Sequence, residues 1–153
     1  MNRYIRYEVV PIPGFLKDII DNRHNQDIRI QVSSGKWVGC TSNRLRTFAK
    51  GIDSDGKIRC VSCGIEATHF AVEASPNQSN PHMNLYGMRD GGEVLFTHDH
   101  ILARGLGGAD NLSNTQVMCS PCNSKKSIEE GKEAVRRRKA KIKAKNEKTS
   151  LGM

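Results

Sequence analysis

The stretch that decides the reading is Thr97-His98-Asp99-His100-Ile101-Leu102-Ala103-Arg104-Gly105-Leu106-Gly107-Gly108-Ala109-Asp110-Asn111-Leu112-Ser113-Asn114-Thr115-Gln116-Val117-Met118-Cys119-Ser120-Pro121-Cys122-Asn123-Ser124-Lys125-Lys126. It strings together an Asp-His-Ile triplet, a Gly-Gly turn at Gly107 and Gly108, a mid-stretch Asn114, and a Cys-x-x-Cys-Asn-x-x-Lys ending that runs from Cys119 to Lys126. Working outward, the chain has 153 residues, enough for one domain and too few for two of ordinary size. Hydrophobic residues make up 37% and aromatic residues 5%, so the core is expected to be modest and to need a staple. The five cysteines can supply one.

The Thr97–Lys126 stretch resembles the catalytic motif of HNH endonucleases, and the flanking pattern from Thr68 onward resembles the small members of that family encoded by bacteriophages. The resemblance implies an α+β fold with a ββα-metal core: two strands, an Ω-type loop and a helix around one divalent cation. It implies that Asp99 is a metal ligand and His100 the general base. Asn114 would hold the loop and the base in place. Asn123 stands where the family name has its final His, which makes the motif an HNN variant. An amide oxygen in that position suits a hard cation such as Mg²⁺, with Mn²⁺ or another divalent ion able to substitute. The expected activity is hydrolysis of DNA phosphodiester bonds, by nicking or by cutting both strands. A non-catalytic, zinc-dependent nucleic-acid-binding module is the alternative, and a preference for RNA stays open, as does action as a homodimer.

Cys60-Val61-Ser62-Cys63-Gly64 is a zinc-knuckle half-site: two thiolates two residues apart turn back on one ion, and Gly64 relaxes the turn. Cys119-Ser120-Pro121-Cys122 is a second half-site. The long interval between them does not prove a shared ion, but the resembled family often places one such Cys₄ zinc site beside its catalytic loop. Cys40 is left over and is expected to be a buried free thiol. The chain opens on a polar, Arg-bearing stretch and has no apolar run near 18 residues, so the expected compartment is a reducing cytoplasm, that of a bacterial host if the chain is phage-encoded.

The net charge of +8 points to a polyanionic partner. From Lys125 to Lys148 there are 11 Lys or Arg against 4 Glu, a balance of +7, so the basic character is concentrated in the tail. Three segments are expected: an extension over 1–59 with possible accessory DNA contacts, a nuclease core over 60–131, and a basic helix or tail over 132–153.

Local pattern fills these in. Tyr4–Val10 alternates as a strand that Pro11 and Pro13 close, and Phe15–Asp21 suits a short helix. Ile28, Ile30 and Val32 alternate up to Ser33-Ser34-Gly35, and Lys36–Cys40 runs back as the other half of a hairpin. Ser42 caps a short helix that ends at Gly51, with Arg44 and Arg46 exposed. Thr68–Glu73 reads as a strand, Ala74–Pro81 as a loop, and Met83–Met88 with Glu93–His98 as a hairpin about Arg89-Asp90-Gly91-Gly92. His24, His69 and His82 are expected to be structural or exposed. After Asn123 a helix is expected, with a possible second start at Ser127, and from Arg136 onward too little is apolar to bury a stripe.

Successive strand residues point to opposite faces, so Asp99 and His100 reach one phosphate only if the strand ends or bulges at His100. His98 shares the parity of His100 and is a candidate phosphate contact. Arg104, Lys125, Lys126, Arg136, Arg137 and Arg138 are the other candidate DNA contacts.

Overall fold

A computed structural model describes residues 3–78 and 80–152. Met1, Asn2, Ser79 and Met153, which fall in the expected 1–59 extension, the 74–81 loop and the 132–153 tail, lie outside it. The order of elements is β1 (Ile5–Val10), α1 (Ile12–Asp21), β2 (Arg29–Gln31), β3 (Trp37–Gly39), α2 (Asn43–Lys50), β4 (Ala67–Ala74), β5 (His82–Arg89), β6 (Gly92–His100), β7 (Thr115–Cys119) and α3 (Ser120–Leu151). Two 3-10 turns, Arg104–Leu106 and Leu112–Asn114, shape the loop between β6 and β7. The fold is therefore mixed α+β.

One antiparallel sheet runs β1-β4-β5-β6-β7, and β2-β3 forms a separate hairpin. The first strand of the chain thus lies inside the same sheet as the Asp-His-Ile triplet. The β5–β6 turn follows from its sequence: Asp90 and Gly91 sit at φ 52° and 76°, the two positive values a type I′ hairpin requires, and Arg89 pairs with Gly92. Pro11 closes β1 as its sequence predicts, whereas Pro13 lies inside the next helix. α1 begins at Ile12, with Pro13 inside its first turn, where a missing N–H leaves no intrahelical bond unmade.

α1 and α2 cover one face of the sheet. Phe15, Leu16 and Ile19 of α1 are buried, and the Phe15 ring meets Phe70 edge-on at 5.0 Å. Leu45 and Phe48 of α2 join Val72, Leu85, Phe96 and Val117 in the same core. Each such side chain, fully buried, stabilises by about 1.5–3 kcal/mol. The Ser42 hydroxyl caps α2 by accepting from the Leu45 amide at 3.3 Å. At the helix end Gly51 has no room for a side chain, since a Cβ would come within 2.6 Å of Val117 Cγ2.

Arg44 and Arg46, expected to be exposed, are half-buried. Arg44 donates to Asn84 Oδ1 at 2.9 Å and to the Met83 carbonyl at 2.6 Å, and Arg46 donates to the Asn25 carbonyl. A guanidinium can lay its stem on apolar surface while its head caps backbone, which a residue count cannot foresee. The other sheet face holds a polar cluster. Glu73, fully buried, accepts from Tyr86 Oη at 2.5 Å, Asn84 Nδ2 at 2.9 Å and Arg6 Nε at 2.8 Å, and Arg6 continues to Glu93 on the rim.

Candidate active site and four-sulfur cluster

β6 outruns its neighbour. Its ladder with β5 extends from Arg89↔Gly92 to Tyr86↔Leu95, whereas its ladder with β7 continues from Phe96↔Cys119 to His100↔Thr115. That second ladder stays in register to its last pair, so there is no bulge at His100; the strand simply ends there. Asp99 and His100 leave opposite faces of a strand end that has only one neighbour, and a cleft of about 250 Å³ wraps round it. His98, Asp99, His100, Arg104, Asn123, Ser127 and Glu130 line this cleft.

Asp99 is buried, with a side chain 7% exposed. Its Oδ2 accepts from Gln116 Nε2 at 2.9 Å and lies 2.9 Å from Lys126 Nζ. Asn123 enters from the first turn of α3, which starts at Ser120 and so takes in Asn123 itself, where the sequence predicts a helix only after that residue. Its Nδ2 donates to Thr97 Oγ1 at 2.9 Å, which leaves Oδ1 as the amide's available acceptor. His98 is half-buried, its ring 6.1 Å from that of His100. Burial, then the nearby Arg44 and His100, push its pKa below 6.5, so at neutral pH it is an uncharged imidazole.

Asn114 braces the loop rather than the histidine. Its Oδ1 accepts from the Leu102 amide at 3.0 Å, and its Nδ2 donates to the carbonyls of Leu102 at 2.9 Å and Ala109 at 2.8 Å. From α2, Lys50 Nζ clamps the end of the same loop through the carbonyls of Leu112 at 2.5 Å and Thr115 at 2.6 Å. The Gly-Gly turn has a steric reason. Gly107 sits at φ 96°, and a Cβ on Gly108 would fall 1.8 Å from the Leu102 carbonyl oxygen.

The candidate cations are differently placed. Lys126 does not project freely: it reaches Asp99, donates to the His100 carbonyl at 2.8 Å and pairs with Glu130. Burial opposes its charge, but the bonds to Glu130 and Asp99 outweigh this and raise its pKa. Arg104 lies on the cleft rim, 3.8 Å from Asp110. Lys125 and Arg138 are exposed with no ion-pair partner among the described residues, while Arg136 and Arg137 pair with Glu133 at 3.0 and 2.9 Å. The chain from Arg136 to Leu151 is helical and solvated, continuous with α3 through Gly131.

Three cleft participants were missed in the sequence: Asp110, Glu130 and Gln116. Glu130 was readable in principle as an i,i+4 partner of Lys126. Asp110 and Gln116 carry no local signal, because only the folded loop and the β6–β7 register bring them in.

Beside the cleft, the sulfurs of Cys60, Cys63, Cys119 and Cys122 lie within 4.8 Å of one another. Cys60 and Cys63 occupy a turn closed by the Gly64 amide on the Cys60 carbonyl at 2.9 Å, with Gly64 at φ 77°. Cys119 ends β7 and Cys122 lies in the first turn of α3. Four thiolates about 2.3 Å from a tetrahedral ion would stand about 3.8 Å apart. Cys63 and Cys119 are separated by 3.7 Å. The Ile65 backbone and then the Arg89 guanidinium, 3.1 Å from its sulfur, hold the Cys63 thiol down at about 6. Burial pushes Cys119 up to about 12. Cys40 is fully buried away from the cluster and lies 3.6 Å from the Ile28 carbonyl. The cluster can hold a metal such as zinc.

Among the described residues no helix is long and apolar enough to cross a membrane. No curated protein and no solved structure matches the chain. Residues 89–137 match the family model described as HNH endonuclease. That segment contains the β5–β6 turn, the strand end, the braced loop and the first half of α3, so the similarity to HNH endonucleases covers every residue that lines the cleft.

Proposed function

We propose that the protein is a metal-dependent DNA endonuclease with a ββα-metal site made by β6, the 101–114 loop, β7 and the start of α3. The observation that carries this reading is the shared cleft: Asp99, His100 and Asn123 come from a strand end and a helix start, yet line one space. Its donor set fits a hard cation, with a carboxylate and an amide oxygen on the protein side and room for water and phosphate. When bound, a Mg²⁺-class ion would neutralise the phosphoryl oxygens and stabilise the leaving oxyanion. Asp99 and Asn123 would hold it. His100 takes the proton from the attacking water, a contribution of about 10²- to 10⁴-fold. His98, uncharged, serves phosphate as a hydrogen-bond partner rather than as a cation. The four cysteines hold a structural Zn²⁺ that joins the Cys60–Cys63 turn to the base of α3 and so fixes Asn123, the next residue after Cys122.

DNA is the favoured polyanion because the basic charge lies on a long, stiff, solvated helix. Arg104, Lys125 and Arg138 are its readiest phosphate contacts, and Arg136 and Arg137 join them once released from Glu133. The test is supercoiled plasmid incubated with the zinc-loaded chain and Mg²⁺, with and without EDTA, beside His100→Ala at equal zinc content. Cleavage that needs Mg²⁺ and His100 is the expected result. Tight binding with no cleavage under any divalent ion would replace this reading with that of a binding module, and undiminished nicking by His100→Ala would remove His100 as the base.

A further inference from the structure

We infer that Asp110 is the positioning residue that sets the tautomer and direction of the His100 ring, an inference that rests on His100 being the base. Asp110 Oδ1 lies 3.0 Å from His100 Nε2. The sequence offers Asn114 or a loop backbone carbonyl for this task, but both ends of the Asn114 amide are engaged with Leu102 and Ala109, and the group at the ring nitrogen is the Asp110 carboxylate. Among the described residues the His100 ring's hydrogen-bond partner is Asp110, while Lys126 holds the main-chain carbonyl of the same residue.

Asp110 is exposed, yet its backbone is not loose. The carbonyl just before it, that of Ala109, is bonded to Asn114. The amide of Asn114 returns to Asn111, just after it, and the Gly107-Gly108 turn precedes it. The loop therefore presents one carboxylate to one ring nitrogen from a fixed place. The second oxygen of that carboxylate faces Arg104 at 3.8 Å. The hydrogen bond from His100, then Arg104, holds the Asp110 carboxyl below the usual carboxylate range.

The chemical consequence follows from the donor inventory. An ionised carboxylate only accepts, so a neutral His100 bonded to it must carry its proton on Nε2. The lone pair is then on Nδ1, the nitrogen left for water. Without Asp110 the two tautomers would compete and the ring would turn about its side-chain bonds. Partners of this kind, one shell out from the reacting groups, are worth about 10- to 100-fold when removed.

The experiment uses the full zinc-loaded chain as wild type, Asp110→Ala and Asp110→Asn. Nitrogen-15 spectra of the histidine rings, recorded where His100 is neutral, report which nitrogen bears the proton, and single-turnover plasmid cleavage reports rate apart from binding. Wild type should show Nε2–H. Asp110→Ala should lose that preference and about 10- to 100-fold in cleavage rate at saturating plasmid. Asp110→Asn, which retains an acceptor oxygen, should lie between them. An Nδ1–H tautomer in wild type, or an Asp110→Ala chain that keeps both tautomer and rate, would overturn the assignment. If wild type cuts nothing, the nuclease reading fails, while the ring spectra still decide whether Asp110 orients His100.

Discussion

Replacing Lys126 by Met should tighten binding of a divalent cation. The Lys126 ammonium lies among three oxygens, 2.9 Å from Asp99 Oδ2, 2.8 Å from the His100 carbonyl and paired with Glu130. That is a cation site filled by the protein's own cation, and one of its oxygens is the carboxylate proposed to hold the metal. A hydrogen bond to a charged group contributes about 1.5–3 kcal/mol. Lys126 is 24% exposed, so solvent screening places the bond to Asp99 at the lower end. Each 1.4 kcal/mol is a tenfold change in affinity, so freeing Asp99 should improve binding by about tenfold. Methionine keeps the length and apolar stem of lysine without the charge. Free Mn²⁺ measured by electron paramagnetic resonance, with Mg²⁺ titration calorimetry beside it, gives the affinity without any need for turnover. Lys125→Met removes a neighbouring positive charge that has no ion-pair partner among the described residues, and so controls for the general field. Equal affinities in Lys126→Met and Lys125→Met would refute the reasoning. Weakened metal binding in Lys126→Met would show that the ammonium organises the cleft rather than competing for it.

Other consequences follow from named residues. Gly108→Ala places a Cβ against the Leu102 carbonyl, so the 101–114 loop must shift; cleavage should fall by about 10²-fold with the thermal midpoint little changed, and amide exchange should rise only in that loop. Glu73 is held below its ordinary 4.5 because bonds from Tyr86, Asn84 and Arg6 outweigh its burial. Its stabilising contribution is therefore present above pH 4.5 and is lost as the pH falls through its lower folded value. Glu73→Gln should cost about 2 kcal/mol at pH 7 and converge on wild type in acid, and urea midpoints that stay parallel down to the acid limit would contradict this. Removing residues 132–153 should flatten the salt dependence of DNA binding by about 0.9 in the log–log slope for each phosphate that the helix had neutralised. An unchanged slope would leave the helix no part in binding.

How much of this could be read from the chain depended on whether the deciding interactions were local. The β5–β6 hairpin was legible because Asp90-Gly91 admits few turns, and the α2 cap because Ser42 acts on an amide three residues away. Cys60, Cys63, Cys119 and Cys122 announced two half-sites, though only the fold brings the sulfurs together across 56 positions. Long-range polar interactions were not legible. Arg44 looked like a surface charge until Asn84 and the Met83 carbonyl were found beneath it, and Lys126 looked like a phosphate contact until β6 delivered Asp99 to it. For Asp99 and His100 the alternation of a strand gave the right difficulty. Its resolution, a β6 that outlasts β5, belongs to strand register and has no signature in either residue.

α3 also has a metric consequence. Asn123 and Leu151 stand 28 residues apart on one unbroken helix, a span of about 42 Å at 1.5 Å per residue. Laid along a duplex at about 3.4 Å per base pair, it would act as a ruler roughly a dozen base pairs long with its zero mark at the cut phosphate. Protection from chemical footprinting should then stop at a constant offset on one side of the break. Inserting whole turns of helix after Gly131 should move that boundary without moving the break itself.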